Sequence, residues 1–383
     1  MKRKLLSTLL CVSMLAAMLA GCGGTGETSK GTPATNGTPA EDATEAPAAD
    51  AGAATAGNED MLIYLVSKGF QHQYWQAVYQ GAQTAADEYG VKMEMVGPAS
   101  ESDIAEQVQM LNNAINLKPA AIGLAALDTQ ACLDLIKVAQ DAKLPIIGFD
   151  SGVPDAPEGA VYANAATDNY AAGELAAEET YKLIETKIAD AAAPVRIGVM
   201  SQDATAESIL NRGFGFVDKM KTLVEGTGKT VSIEGHTKFV DQCGGMVNGA
   251  DVVIEVVVPA SVTAELSVAD GATLLNKADT IAVYASNQFS GEGLVNANAN
   301  LKKLGADGIV GVAFDSGTVI KSAVKDGTLA GAVTQDPVSI GYKTVELAVK
   351  AANGEAVSDV DTGCKWYTSK NMDAADIAPN LYD

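Results

Sequence analysis

Cysteine and histidine are scarce in this chain. Its 383 residues include five cysteines and two histidines, His72 and His236. No two cysteines form a Cys-x-x-Cys pair, so the residue clusters from which metal sites are built are missing. We expect no metal and no cofactor. The three cysteines that follow residue 22, Cys132, Cys243 and Cys364, are interpreted as buried thiols in preference to a disulfide.

Basic residues are also few. The chain has 26 Lys and Arg against 48 Asp and Glu, a formal net charge of −22, and its basic residues form no cluster in the folded body. A nucleic-acid partner is therefore excluded, because neutralising phosphates needs clustered Lys and Arg. The acidity fits an exported, soluble body.

The first 60 residues read as an export signal and a tether. Lys2, Arg3 and Lys4 precede the apolar run 5–20, which is too short for a comfortable membrane span. We predict a signal peptide over residues 1–21. Residues 23–60 contain no large apolar side chain, so residues 22–60 are predicted to form a disordered tether.

From Met61 onward, apolar runs alternate with helical patterns, which predicts an α/β fold with mostly parallel, doubly wound sheets. About 320 ordered residues are too many for one core, so two lobes are expected. Residues 250–259 look β-like where a helix is due, and 262–277 is the possible helix after them. The predicted strands are 62–66, 91–96, 120–126, 145–149, 195–200, 231–234, 281–285, 308–314 and 329–333, and the predicted helices are 75–88, 104–117, 129–142, 167–187, 206–223, 291–304, 319–325 and 339–352.

Ligands of parallel sheets bind at the carboxyl ends of the strands, so the residues that follow each strand are the candidate site. These residues are mainly amides, carboxylates and aromatics. Carboxylates and amides hydrogen-bond hydroxyls, and aromatic faces cover the apolar face of a sugar ring. The set predicts a small, neutral, polyhydroxylated ligand. The segments concerned are 67–75, 150–152, 287–288, 315–317 and 335–337.

Several motifs, specific in their combination and order, carry a family resemblance. They are Gly-Phe-Asp-Ser (148–151), Ala-Thr-Asp-Asn-Tyr-Ala-Ala-Gly (166–173), Asn-Arg-Gly-Phe (211–214), Ala-Ser-Asn (285–287), Phe-Asp (314–315) and Thr-Gln-Asp-Pro (334–337). Over residues 61–366 the chain resembles the sugar-binding proteins of ABC importers, in the type I periplasmic-binding-protein class and its ribose-binding branch. Leu19-Ala20-Gly21-Cys22 likewise resembles a bacterial lipobox, which implies a lipid on Cys22; cleavage elsewhere is the alternative.

The resemblance implies a role for each matching position. Tyr74 and Trp75 match the aromatic pair that stacks on the sugar, and His72 matches a polar residue that bonds a hydroxyl. Phe239 matches the aromatic of the second lobe. The remaining matches are carboxylate, guanidinium and amide ligands of the sugar: Asp150, Arg212, Asn287, Asp315 and Gln335.

The resemblance also implies a three-crossing hinge near residues 166–168, 335–336 and 361–362, with the ligand cleft between the lobes. The first lobe is then 61–167 plus 336–361, and the second is 168–335 plus 362–383. The implied partners are a small neutral sugar, an ABC permease, and the membrane through the lipid. The protein is expected to be a monomer and not an enzyme.

Departures from the pattern leave the ligand open. Ser151 stands where the ribose-binding pattern has arginine, so the candidate ligands include a hexose, another pentose, a cyclitol and a related signalling sugar. A nucleoside binder and a receptor for a membrane sensor kinase are alternatives. Asp150 and Asp315 could also pose as a glycosidase pair or cap helices. No nucleophile elbow, Walker loop or His-Glu-x-x-His supports an enzyme.

Overall fold

The computed structural model describes residues 58–383. The predicted signal peptide, Cys22 and almost all of the predicted tether lie outside the described residues. Within residues 58–383, no helix is long and apolar enough to cross a membrane. The same residues hold no group of three or more His, Cys, Asp or Glu side chains placed to bind a metal ion.

The first lobe begins with five parallel strands in the order β5-β4-β3-β1-β2. Strands β3 and β4 are buried along their whole length, and so is β1 after its first residue. Burial on both faces of the sheet explains their continuous apolar sequences. The elements are β1 (Leu62–Val66), α1 (Gln73–Tyr89), β2 (Lys92–Val96), α2 (Ile104–Leu117), β3 (Ala121–Leu124), α3 (Leu133–Asp141), β4 (Ile146–Phe149) and β5 (Val161–Ala166).

The second lobe repeats this plan with six parallel strands in the order β11-β10-β9-β6-β8-β7. Apolar clusters cover both faces of its sheet. Its elements are α4 (Asn169–Ala189), β6 (Val195–Met200), α5 (Glu207–Glu225), β7 (Val231–Gly235), α6 (Thr237–Gln242), β8 (Val252–Val257), α7 (Ala264–Asn276), β9 (Thr280–Ala285), α8 (Gln288–Leu301), β10 (Val310–Phe314), α9 (Thr318–Lys325) and β11 (Gly331–Gln335).

The last elements return to both sheets. Helix α10 (Pro337–Ala352) packs against α1 in the first lobe. Strand β12 (Val360–Asp361) pairs in parallel with β5, and β13 (Cys364–Tyr367) pairs antiparallel with β11. A 3₁₀ turn follows at Ala378–Asn380. The chain thus crosses between the sheets three times, and the predicted fold class is confirmed.

Side chains tie the three crossings together. Thr167 Oγ1, in the first crossing, lies 3.1 Å from Gln335 Oε1 in the second and 3.1 Å from the carbonyl of Gly363 in the third. Asp361 Oδ1 accepts from the Asp168 N–H at 3.1 Å and from the Gly363 N–H at 2.8 Å. The crossings therefore form one connected unit at the edge of the cleft.

The structure resolves the stretch that the sequence pattern left unassigned. The β-like residues form β8, which is inserted between β6 and β7, and α7 follows close to the possible helix at 262–277. One expectation needs correction, and four elements were missed. Residues 129–132 are a turn in place of helix, because Asp128 Oδ1 accepts from two backbone N–H groups there. Strands β5, β12 and β13 and helix α6 were not predicted.

Candidate ligand-binding site

The two lobes present the carboxyl ends of their strands to one another, and polar loops meet there. Asp150 follows β4 and Asp315 follows β10, both with positive φ, 57° and 72°. Each aspartate N–H donates to the neighbouring strand, Asp150 to Ala165 at 3.1 Å and Asp315 to Val333 at 2.7 Å. Asp tolerates this left-handed conformation better than most residues. Each carboxylate is thereby held, buried, at the centre of the cleft.

The wall of the first lobe is a network around two carboxylates. The Tyr74 hydroxyl donates to Asp150 Oδ1 at 2.6 Å, and Lys68 Nζ lies 3.0 Å from Asp150 Oδ2. The indole N–H of Trp75 donates to Glu101 Oε1 at 2.8 Å. Lys68 also lies over the Trp75 ring at 5.8 Å from its centre. The aromatic pair is therefore oriented by the same carboxylates that face the cleft.

The wall of the second lobe is centred on Arg212. Its Nε and Nη2 donate to Asn169 Oδ1 at 3.2 and 2.7 Å, and Nη1 donates to the Ser286 carbonyl at 2.9 Å. The guanidinium lies 3.6 Å from the centre of the Phe314 ring and 3.8 Å from Asp315. Arg212 is thus fixed in one position as a donor for the cleft.

The packing of α4 against α5 sets where Arg212 lies. A Cβ at Gly173 would be 2.1 Å from the Arg212 carbonyl, and one at Gly215 would be 2.1 Å from the Tyr170 carbonyl. Only glycine permits these two backbones to approach so closely.

Neutral amides complete the second wall. Gln335 Nε2 donates to Asp315 Oδ1 at 2.8 Å, and the Gln288 N–H donates to Asp315 Oδ2 at 3.0 Å. Asn287 is the N-cap of α8, where it accepts from the Ser290 N–H at 3.1 Å. Asp315 therefore bonds the first turn of a neighbouring helix in place of capping its own, since the N-cap of α9 is Gly317.

Burial shapes the protonation of this cleft. It raises the pKa of Asp315 above its usual value, against the opposing effect of Arg212. Burial lowers the pKa of Lys68, but the carboxylates of Asp150, Glu101 and Asp203 outweigh it, so the net shift is upward. Lys68 is consequently a cation at neutral pH. Burial, with the Asp150 carboxylate second, raises the pKa of Tyr74 and keeps its hydroxyl a donor.

The lobes are in contact across the cleft. The Ser208 N–H donates to Ser151 Oγ at 3.2 Å, and the Gly152 N–H donates to Glu207 Oε2 at 3.2 Å. Gln202 Nε2 reaches Glu101 Oε2 at 2.9 Å. The cavity between the lobes measures about 30 Å³, which is room for roughly two waters. A sugar ring is larger, so the lobes must part to admit one.

Eight of the nine predicted site residues line this cavity, and Phe239 does not. Phe239 is fully buried in the second-lobe core, 4.9 Å from the Phe214 ring and against Gly213. The short helix α6 turns it inward, and the aromatic ring beneath Arg212 is Phe314. The eight are His72, Tyr74, Trp75, Asp150, Arg212, Asn287, Asp315 and Gln335.

Four further lining residues were not predicted, namely Lys68, Glu101, Ile209 and Gln288. Glu101 follows β2, so applying the strand-end rule to that strand as well would have found it. Lys68 and Gln288 stand in segments that the rule selected, but neither was singled out. His72 Nε2 is buried without a hydrogen-bond partner, 3.9 Å from Glu101 Oε1.

Comparison with known proteins places this architecture in a family. The model of the periplasmic binding protein domain matches residues 63–356. The chain belongs to the periplasmic binding protein family. The resemblance that the motifs indicated is confirmed at this level.

Individual relatives agree with this assignment. This periplasmic binding protein is 26% identical over 301 residues to the ribose import binding protein RbsB of Salmonella typhimurium, covering 77% of this chain and 86% of that protein. It is similar to a Brachyspira murdochii structure described as an ABC transporter, LacI family transcriptional regulator, with 35% identity, a TM-score of 0.69 and coverage of 85% and 99%. An Agrobacterium vitis ABC transporter solute-binding protein with bound D-fucose gives 29% identity, a TM-score of 0.70 and coverage of 84% and 100%.

Proposed function

We propose that this periplasmic binding protein captures a small neutral carbohydrate and delivers it to an ABC permease. The observation that carries the proposal is the set of three buried carboxylates in one interlobe cavity, Glu101, Asp150 and Asp315. Carboxylates accept hydrogen bonds from the adjacent hydroxyls of a sugar. The relatives named for ribose import and for bound D-fucose support the same ligand class.

The proposed ligand is neutral because the cavity pairs most of its charges internally, with one carboxylate in excess of its cations. Two cations, Lys68 and Arg212, face the three carboxylates, and each carboxylate already accepts from a protein donor. An anionic ligand would meet three like charges, and a cationic one would compete with a buried lysine and arginine. Hydroxyls, which both donate and accept, can join this network without adding charge.

Each wall has its own role in the proposal. Trp75 and Tyr74 cover the apolar face of the ring, and His72 Nε2 gains a hydroxyl partner. Arg212 donates from the opposite side, with the amides of Asn287 and Gln335 beside it. A ligand that contacts both walls stabilises the closed lobes by differential affinity for the two arrangements.

The lobes of the proposal are residues 61–167 with 336–361 and residues 168–335 with 362–383. Sheet membership supports this division, because β12 belongs to the first sheet and β13 to the second. Rotation would then take place at the three crossings, which Thr167 and Asp361 tie together.

The proposed location is the outer face of the cell membrane, with a lipid on Cys22 and a polar tether as far as residue 60. Its support is the lipobox-like sequence after a basic and apolar leader. Acyl chains hold a protein at a bilayer by about 0.8 kcal/mol per buried CH₂. Cys22→Ser should release the protein from the membrane fraction, and a variant that stays membrane-bound would contradict the anchor.

A thermal-shift screen tests the ligand class. Pentoses, hexoses, 6-deoxyhexoses and cyclitols are added to the protein, with nucleosides and amino acids as other classes. A true ligand at 100 times its Kd should add about 2.7 kcal/mol to the free energy of unfolding. Asp150→Asn should lose the shift, while Asp134→Asn, an exposed carboxylate of the same lobe, should keep it. A shift with nucleosides alone would replace the carbohydrate proposal.

A further inference from the structure

The chain returns to the cleft after its third crossing. Residues 368–383, called here the return segment, follow β13 along the outside of the second lobe. Met372, Ile377 and Leu381 pack on the apolar cluster of that lobe. The Thr334 hydroxyl donates to the Asn380 carbonyl at 3.0 Å. This path leads Tyr382 back to the loop that carries Asp315.

The backbone of Tyr382 is fixed to the second lobe. Its N–H donates to Ser316 Oγ at 3.0 Å, and its carbonyl accepts from the Gly317 N–H at 3.1 Å. Lys321 pairs with the neighbouring Asp383 at 2.6 Å. Tyr382 is therefore attached directly beside one of the two central carboxylates.

The hydroxyl of Tyr382 accepts from the Ser316 N–H of the second lobe at 3.4 Å, whereas its ring contacts the first lobe. Its ring packs on the apolar cluster of that lobe and meets the Tyr74 ring edge to face, with 6.0 Å between the centres. Such an aromatic pair contributes beyond its buried area. One residue thus spans the cleft, with its backbone on one lobe and its ring on the other.

The hydroxyl of Tyr382 reaches a residue of the cavity wall. It donates to Gln288 Oε1 at 3.3 Å, and the same oxygen accepts from the Tyr74 N–H at 3.3 Å. Tyr74 in turn holds Asp150 through its own hydroxyl. Tyr382 therefore acts on the cavity through Gln288 and Tyr74.

We propose that Tyr382 is a latch, a positioning residue that favours the closed lobes and orients Tyr74 and Gln288. Opening the cleft separates its ring from Tyr74 while its backbone stays on the second lobe. The latch then adds to the closed state a stabilisation that exists before any ligand contact. The part of this proposal that concerns affinity rests on the proposed carbohydrate function.

Amide hydrogen exchange of the full-length protein without ligand tests the latch. The N–H groups of Gly152, Ser208 and Thr318 bond across the cleft, whereas those of Ile197 and Val312 lie within the second sheet. Tyr382→Ala should raise exchange at the cleft amides about tenfold and leave the strand amides unchanged.

Two variants make the result specific. Tyr382→Phe keeps the ring and should restore most of the protection, and Tyr79→Ala, an exposed tyrosine on α1, should have no effect. If Tyr382→Ala leaves the exchange rates of the cleft amides unchanged, the latch proposal is overturned. Equal acceleration at cleft and strand amides would also overturn it, because the residue would then only stabilise the second lobe.

Ligand kinetics with D-ribose and D-fucose complete the test. For a sugar that binds, Tyr382→Ala should raise the dissociation rate about tenfold with little change in the association rate. An unchanged dissociation rate would overturn the role of Tyr382 in affinity. If neither sugar, and no other carbohydrate, binds the wild-type protein, the proposed function fails, and the exchange experiment still decides the latch by itself.

Discussion

The two lobes contain the same four residues at corresponding places. Phe149–Gly152 ends β4 in the first lobe and Phe314–Gly317 ends β10 in the second, and both read Phe-Asp-Ser-Gly. In both, the aspartate is buried and left-handed, with its N–H bonded to the next strand. One short sequence, set at the end of a parallel strand, thus presents a carboxylate to the cleft twice.

The surroundings then make the two carboxylates different. Asp150 faces a lysine at 3.0 Å and a phenol at 2.6 Å, whereas Asp315 faces a neutral amide at 2.8 Å and an arginine at 3.8 Å. The two serines also differ. Ser151 accepts from Ser208 of the opposite lobe, and Ser316 bonds Tyr382 of the return segment. The two Phe-Asp-Ser-Gly segments share the same backbone position at the end of a strand. The neighbouring loops determine which groups their aspartates and serines bond.

The largest effect is expected from breaking the ion pair between Lys68 and Asp150 in the first lobe. Asp150→Ala leaves the buried Lys68 cation without its closest carboxylate, and should lower the free energy of unfolding by about 3 kcal/mol. Urea unfolding measures this change. The double variant Lys68→Met/Asp150→Asn should recover much of the loss because it removes both charges. A double variant as unstable as Asp150→Ala would refute this account of the pair.

A smaller effect is expected in the second lobe. Asp315→Asn keeps an acceptor for the Gln288 N–H, and Arg212 keeps its bonds to Asn169 and Ser286. The amide cannot also accept from Gln335, so the loss should be about 1 kcal/mol by urea unfolding, the range of one hydrogen bond. A loss as large as that of Asp150→Ala would erase the contrast between the lobes.

The pH dependence of stability should reveal Asp315 itself. Burial raises its pKa above the ordinary 3.8, so the folded protein holds this proton to higher pH than the unfolded chain does. Its contribution is complete below pH 3.8 and is lost as the pH rises through the folded pKa. As the pH rises from 4 to 6, this contribution to the free energy of unfolding is lost in the wild type. Urea unfolding should therefore show a less steep fall in Asp315→Asn than in the wild type. Equal slopes would contradict the assignment.

The smallest effects concern the two serines. Ser151→Ala removes one interlobe hydrogen bond and should weaken ligand binding by about threefold, with little change in the melting temperature. Ser316→Ala loosens the return segment and should lower stability by about 1 kcal/mol. Titration calorimetry and thermal melts separate the two results. If both variants changed ligand affinity and stability by similar amounts, the two serines would not differ in role.

Much of the fold was predictable because buried parallel strands carry continuous apolar sequences. This pattern predicts strands such as β1 and β4 directly from the sequence. Strand β12 has only two residues, and β13 lies at the edge of its sheet, so neither has a clear pattern. Strand β8 was ambiguous because the order of strands in a sheet is a tertiary property that local sequence does not encode.

The site was predictable where strand ends define it, as at Asp150 and Asp315. Phe239 was assigned by resemblance alone, and the turn of α6 into the core gives it a packing role. Tyr382 lies 15 residues after the end of β13 and reaches the cleft only through the path of the return segment. No local pattern marks such a residue, because its neighbours are distant in sequence.

The side chains that tie the three crossings together affect the order in which ligand contacts break during release. Gln335 belongs both to the cavity and, through Thr167, to the hinge unit. Points on a rotation axis travel least, so contacts at Gln335 should be the last to break as the lobes swing apart. The contacts of a departing sugar would then break in a fixed order, first those farthest from the axis and last those at the hinge. If the proposed delivery to a permease holds, the ligand would still contact the hinge edge of the open cleft when it is handed over.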